Sequence, residues 1–167
     1  MKSFNSFILN LTVSILDFLY KGRDYQRFWV LEVIARSPYF AFLSVLHLRE
    51  SLGLRGEEHI QLMVGHFEQT LNETEHLEYM ESMGGADRWI DRFLAKHLVL
   101  LYYWIMVVYY LIDPVSAYHL NWEVEIHAAT TYGKYLALNG PDDKILEILN
   151  DELQHAHELH QAMELIK

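Results

Sequence analysis

Apolar positions recur along this chain at three- and four-residue intervals almost from end to end, and the rhythm breaks only at clusters of Gly, Pro and Asn. That pattern predicts six helices, at about 3–20, 24–52, 57–83, 87–112, 115–138 and 142–166, and no strand. Gly22 parts the first two segments, Gly53 and Gly56 close the second, and Gly84-Gly85 caps the third. Asp113-Pro114 ends the fourth, and Asn139-Gly140-Pro141-Asp142 makes the last turn. Pro38 falls inside the second segment and is expected to kink it about one turn after Glu32. With no repeat and no linker, the expectation is one all-α domain over 1–167, with an amphipathic N-terminal helix in 1–22 and a core in 23–167.

Two segments depart from the ordinary amphipathic pattern. The first, Met1 to Tyr20, is apolar enough to suggest a signal peptide, but Asn10 and Asp17 interrupt it and no small-residue cleavage site follows. We read it as a retained amphipathic helix. In the fourth, Leu98 to Ile112 is fifteen residues without a charge. That run is short of the ~20 residues that span a bilayer. Tyr102, Tyr103, Trp104, Tyr109 and Tyr110 suit the lipid headgroup boundary, although a central core helix would show the same hydrophobicity. Arg88, Arg92 and Lys96 form a basic stripe just before the run. With Lys2, Lys21, Arg23 and Arg27 they make seven of the thirteen Lys and Arg, all in or beside the first, second and fourth segments. A protein lying on an anionic membrane surface would have this distribution.

Composition narrows the chemistry. A formal charge of -10 excludes a phosphate-binding field, so no nucleic-acid partner is expected. The absence of Cys removes disulfides, thiolate metal sites and thiol nucleophiles, which leaves His and carboxylate as metal ligands.

Those ligands occur in a definite order. Glu73 and His76 lie three residues apart in a helical segment, which puts both on one face, and Glu152 with His155 repeats the spacing. With 15 Glu and 10 His in 167 residues, about one such pair arises by chance, so the count alone decides little. Glu32 and Glu125 are lone carboxylates in apolar surroundings, where an ionised Glu needs a partner. Four helices then offer Glu, Glu-x-x-His, Glu and Glu-x-x-His, the ligand set of di-iron carboxylate bundles of the ferritin-like kind. Glu125 lies about 21 Å of helix before the turn near Asn139 and Glu152 about 15 Å after it, which brings the two to similar depth in an antiparallel pair. Glu75, Glu123 and His127 are two residues from ligands and should point away from the metals. His157 and His160 are expected to be exposed, and His47, His59, His66, His97 and His119 form no set with ligand spacing.

Several stretches together resemble a known family. Leu31-Glu32-Val33-Ile34-Ala35-Arg36-Ser37-Pro38-Tyr39-Phe40, Asn72-Glu73-x-x-His76, Asp91-Arg92-Phe93-Leu94-Ala95-Lys96-His97, Ala117-Tyr118-His119 and Asp151-Glu152-x-x-His155 look like the plastid terminal oxidase branch of the alternative oxidases, from about Arg23 to His155. The resemblance implies a membrane-bound di-iron quinol oxidase that reduces O₂ to water, with a four-helix di-iron bundle and two additional membrane-associating helices. Its metal ligands, for two Fe ions per chain, would be Glu32, Glu73, His76, Glu125, Glu152 and His155. The redox-active tyrosine of the family falls on Tyr132, two turns after Glu125 on the ligand face. Arg27, Leu31, Ala128 and Thr131 match residues near the quinol pocket, and Asn72 and Asp151 match residues that support the ligands. The substrates would be plastoquinol or ubiquinol and O₂, the location peripheral on a thylakoid or cytoplasmic membrane, and the assembly a homodimer. Departures are a short stretch between Tyr135 and Glu152, Arg49 where a tyrosine is usual, and no transit peptide or cysteine-bearing tail. Read from the residues alone, another di-iron carboxylate enzyme (a hydroxylase or ferroxidase) and a metal-free membrane-associated helical scaffold remain alternatives.

Overall fold

The computed structural model describes residues 2–166, and Met1, Lys167 and the side chains of Lys2 and Ser3 lie outside what it describes. The described chain forms α1 (Lys2–Leu19), α2 (Asp24–Ser51), α3 (His59–Ser82), α4 (Trp89–Ile112), α5 (Pro114–Asn139) and α6 (Asp143–Leu165), with no strand among the described residues. The ends follow the expected chemistry. Asp113 accepts a hydrogen bond from Ser116 N ahead of Pro114, and Asp142 accepts from Lys144 N and Ile145 N. Helix α2 runs on through Pro38 without a break in its assignment.

Short turns return α3 along α2 and α6 along α5, and the two pairs meet through α2 with α5 and α3 with α6. The result is a four-helix bundle. Gly85 sits where the end of α3 passes the start of α2: a Cβ there would lie 2.7 Å from Trp29 Cβ and from the carbonyls of Tyr25 and Met80. Only glycine fits that approach.

The bundle core is split in two. One apolar cluster holds Phe28, Trp29, Leu31, Ala128, Tyr132, Ile145 and Ile148, and the other Tyr39, Phe42, Val45, Tyr118, Leu159 and Met163. On α3, α5 and α6 the proposed ligands fall between these clusters in chain position, and on α2 Glu32 sits at the edge of the first cluster, between Leu31 and Val33, so the charged layer has apolar side chains at both ends. That is a low-dielectric setting.

The other two helices lie outside the bundle. α1 packs on α5, and α4 packs along α2 and α5 with Asp91, Ala95, Met106 and Tyr110 buried on one face. Tyr109 of α4 donates to Asn5 Oδ1 of α1 at 2.9 Å, and Asn5 Nδ2 donates to Ser116 O at 2.9 Å, which ties α1 and α4 together. Their outer faces are apolar and exposed, with Phe4, Phe7, Leu11, Ile15 and Phe18 on α1 and Leu101, Trp104, Ile105 and Val108 on α4. Both α2 and α4 are long and apolar enough to cross a membrane, but the apolar window is 72% buried in α2 and 17% buried in α4. α2 is therefore the core helix of the bundle, and α4 is the helix with apolar surface to cover. Of the basic stripe, Arg88 and Lys96 are exposed, whereas Arg92 Nη1 turns back to the carbonyls of Ala86 and Asp87 and caps the preceding loop.

Candidate metal centre

Glu32 on α2, Glu73 and His76 on α3, Glu125 on α5, and Glu152 and His155 on α6 are all buried, none more than 4% exposed. The structure brings all six together. His155 Nδ1 lies 2.9 Å from Glu73 Oε1, while His76 Nδ1 lies 3.3 Å from Glu152 Oε1 and 3.6 Å from Glu32 Oε2. Two groups of four result: Glu32, Glu73, His76 and Glu152, and Glu73, Glu125, Glu152 and His155, each with ligand atoms within 4.8 Å of one another. Glu73 and Glu152 belong to both groups. Two carboxylates common to two ligand groups are what a pair of neighbouring cations requires.

The electrostatics point the same way. No Lys or Arg pairs with these four carboxylates among the described residues. Burial pushes the Glu32 carboxyl up to about 8 despite the neighbouring His76 imidazole, which acts in the opposite direction. Glu125 and Glu152 are raised well above the ordinary value by burial first and then by the neighbouring carboxylates. Burial acts in the same direction on Glu73, but the hydrogen bond from His155 and the nearby imidazoles outweigh it and hold that carboxyl below its ordinary value. Burial opposes protonation of His76, yet Glu32, Glu73 and Asp151 raise it to about 9. Glu32 Oε2, Glu73 Oε2, His76 Nδ1, Glu125 Oε2 and both oxygens of Glu152 have no hydrogen-bond partner. So many orphaned buried acceptors on one layer are costly without a cation to take them. The residues fit a pair of metal ions, and hard carboxylates with two imidazoles suit iron.

The surrounding contacts orient these ligands. Asp151 Oδ2 lies 3.1 Å from His76 Nε2 and accepts from Asn72 Nδ2 at 3.3 Å, so a carboxylate fixes the ring and leaves Nδ1 facing the cluster. Tyr132, fully buried, donates from its hydroxyl to Glu32 Oε1. Tyr39 OH donates to Glu125 Oε1 at 2.7 Å, and Asn121 Nδ2 donates to the same oxygen at 3.2 Å. Neither contact with Glu125 is expected from the sequence. Helical spacing places Tyr39 on the Glu32 face, two turns on, and Asn121 on the Glu125 face, one turn before, but it does not give the Tyr39 partner on α5.

Neighbouring acidic and imidazole groups face elsewhere. Glu75 is exposed, and Glu123 accepts from Ser6 Oγ at 2.7 Å. His47, His97, His157 and His160 are exposed. His66 is buried, a role the spacing did not reveal: its Nδ1 meets Gln69 Oε1 at 2.8 Å and its Nε2 meets Tyr118 OH at 2.7 Å. Burial lowers its pKa to about 4, so it is a neutral hydrogen-bonding ring.

A cavity of about 510 Å³ opens between α1, α2 and α5, with Asp17, Arg27, Phe28, His127 and Thr131 in its wall. His127 points here rather than to the ligands: its Nε2 lies 3.4 Å from Arg27 Nη2 and 3.3 Å from Thr131 Oγ1. Arg27 Nε also donates to Asp17 Oδ1 at 3.0 Å. Of the four residues matched to a quinol pocket, Arg27 and Thr131 line this cavity. Leu31 and Ala128 do not; they are buried behind it in the same apolar cluster as Phe28 and Tyr132. Phe28 links the two regions, because it lines the cavity and its ring centroid is 4.8 Å from that of Tyr132.

Residues 12–147 match the profile described as alternative oxidase. The chain belongs to the alternative oxidase family. That family is helical and di-iron, and the buried Glu and His groups of this member are ones that could hold metal. The family match stops before Glu152 and His155, which the geometry brings to the other four residues. A protein named ubiquinol oxidase 4, chloroplastic/chromoplastic, from Arabidopsis thaliana is 45% identical over 141 residues. The aligned region is 84% of this alternative oxidase and 39% of the Arabidopsis protein, so the chain spans well under half the length of that relative. No solved structure matches the chain.

Proposed function

We propose that this alternative oxidase is a quinol oxidase with two Fe ions per chain, lying on a membrane and reducing O₂ to water with electrons from plastoquinol or ubiquinol. The observation that carries the reading is the pair of ligand groups sharing Glu73 and Glu152. Glu32 and His76 would hold one ion, Glu125 and His155 the other, and the shared carboxylates both. Iron bound there supplies the ferrous/ferric couple and the affinity for oxygen ligands that O₂ reduction needs. Two quinols release four electrons and four protons as they become two quinones, and one O₂ takes all of them to leave as two waters.

The chain's own groups have separate tasks. Arg27, His127 and Thr131 offer polar contacts to a quinol headgroup in the cavity, which also has apolar walls at Val13 and Leu138 for the tail. Phe28, in the cavity wall and packed on Tyr132, would keep water from the path between them. The Tyr132 hydroxyl, held on Glu32, can give up a proton to that carboxylate as it gives up an electron. Asp151 keeps His76 in one tautomer and orientation.

Membrane attachment is peripheral in this reading. The outer faces of α3 and α6 carry charged residues such as Glu75, Glu78, Glu147 and Lys144, which exclude the bundle from hydrocarbon. α4 packs lengthwise on that bundle, so α1 and α4 lie in the interface with their apolar faces toward lipid, on a thylakoid or cytoplasmic membrane. A second exposed apolar stripe, Ile60, Val64, Phe67 and Leu71 on α3, supports a homodimer.

Iron analysis of the purified chain, followed by quinol-dependent O₂ uptake without an added reductase, tests the assignment. Two irons per chain and uptake are expected, with loss of both in Glu125→Ala. Wild-type iron content in Glu125→Ala would remove that residue from the centre, and uptake independent of iron would overturn the function.

A further inference from the structure

A second recess lies between α2 and α4, away from the quinol cavity, with a volume of about 440 Å³. Its polar end can be located. Ser44 Oγ and Tyr103 OH meet at 2.9 Å across the two helices. Arg36 and Lys96 lie two turns back along each helix, and since α2 and α4, separated by α3, run in the same direction, the two cations share one end of the recess. Apolar wall continues from there along Phe40, Val99 and Leu100.

Three features at the polar end call for an anion. Among the described residues neither Arg36 nor Lys96 is in an ion pair, although the chain carries a net charge of -10. Arg36 is held by neutral partners only, donating to Thr74 Oγ1 at 3.3 Å with its guanidinium 5.7 Å from the Phe40 ring centroid. Ser37, 6% exposed and in the wall of the recess, has a buried Oγ with no hydrogen-bond partner. A buried hydroxyl left empty beside two unpaired cations is an acceptor-binding corner. Leu100 in its apolar wall is exposed, as are Leu101, Trp104 and Ile105 farther along α4.

We propose that this groove holds one anionic phospholipid, its phosphate on Arg36, Lys96 and Ser37 and an acyl chain along Phe40, Val99 and Leu100. The assignment rests on the peripheral membrane reading above. A free phosphate would leave the apolar wall exposed, and a quinol, uncharged, would leave the two cations unmatched. An anionic lipid satisfies both halves at once.

The test uses the iron-loaded full chain, bound to phosphatidylcholine vesicles containing phosphatidylglycerol, re-extracted in mild detergent, with bound lipid counted per chain by native mass spectrometry. One phosphatidylglycerol per chain is expected in preference to phosphatidylcholine. Arg36→Gln combined with Lys96→Gln should lower its retention about thirty-fold, while Arg88→Gln, outside the recess, should not. Val99→Phe fills the groove with both cations intact and should also expel the lipid. All variants should still float with pure phosphatidylcholine vesicles. Flotation with no retained phosphatidylglycerol, equal retention of the two lipids, or retention unchanged in the double variant overturns the groove assignment and leaves membrane attachment standing. Displacement by excess inorganic phosphate alone would make it a simple anion site, and displacement by a short-chain quinone a second quinone site; either overturns the lipid. A parent chain that does not float at all overturns both readings.

Discussion

Replacing Tyr132 by Phe separates packing from turnover at a single oxygen atom. The ring is fully buried against Phe28, at 4.8 Å between centroids, and phenylalanine keeps that contact. What is lost is the hydroxyl that donates to Glu32 Oε1. With the metal-free Glu32 carboxyl raised to about 8 and so largely neutral at pH 7, this hydrogen bond contributes about 0.5–1.5 kcal/mol, and the metal-free variant should melt about 1–6 °C lower for a chain of this length. Iron held as proposed would engage the Glu32 carboxylate and should reduce that difference. Iron content should equal the parent's, because no ligand is touched. Quinol-driven O₂ uptake should fall by about 10² or more, the usual scale for a positioned group that transfers a proton. Oxygen-electrode rates on iron-matched samples decide the matter. An iron-loaded variant that turns over at the parental rate makes Tyr132 a packing residue and removes the proton-coupled role.

Other consequences follow from the same contacts. Asp151→Ala frees His76 Nε2 and should weaken iron binding about 10–100-fold in chelator competition; unchanged affinity would mean that Asp151 does not position the ring. The Glu32 carboxyl is raised from 4.5 to about 8 and the His76 imidazole from 6.5 to about 9. Both groups therefore contribute stability that is complete below the ordinary value and lost as pH rises, so the melting temperature of the iron-free chain should fall between about pH 5 and 9, while iron binding releases protons. Iron-free protein that gains stability over that range refutes the assignment. Arg88→Glu with Lys96→Glu should weaken attachment to anionic vesicles, at about 1 kcal/mol for each charge near the surface. Unchanged flotation would show that this edge of α4 does not face lipid. Arg92 is left in place there because it caps a loop.

Much of this molecule was legible in its sequence for local reasons. Gly22, Gly84, Pro114 and Asp142 terminate or start helices through their own backbone chemistry, so the expected boundaries agree with the observed ones to within about two residues at most ends. The two Glu-x-x-His pairs stood out because ionisable groups three residues apart share a face, whatever the helix packs against. What stayed hidden depends on how far each helix is rotated toward a partner distant in sequence. Tyr39 reaches Glu125 across 86 residues and His66 reaches Tyr118 across 52, and no periodicity encodes either pairing. Leu31 and Ala128 do not line the cavity that Arg27 and Thr131 line; they are buried in the apolar cluster that they share with Phe28. His127 was expected only to point away from the metals; the same rotation delivers it to Arg27 and Thr131.

The ratio of quinol oxidised to O₂ consumed by the purified, iron-loaded chain on vesicles tests the central claim most directly. A four-electron reduction to water at a two-iron centre predicts two quinols per O₂ with no peroxide accumulating. A ratio of one with stoichiometric peroxide, or iron-loaded protein that consumes no O₂ with either quinol, would contradict the account.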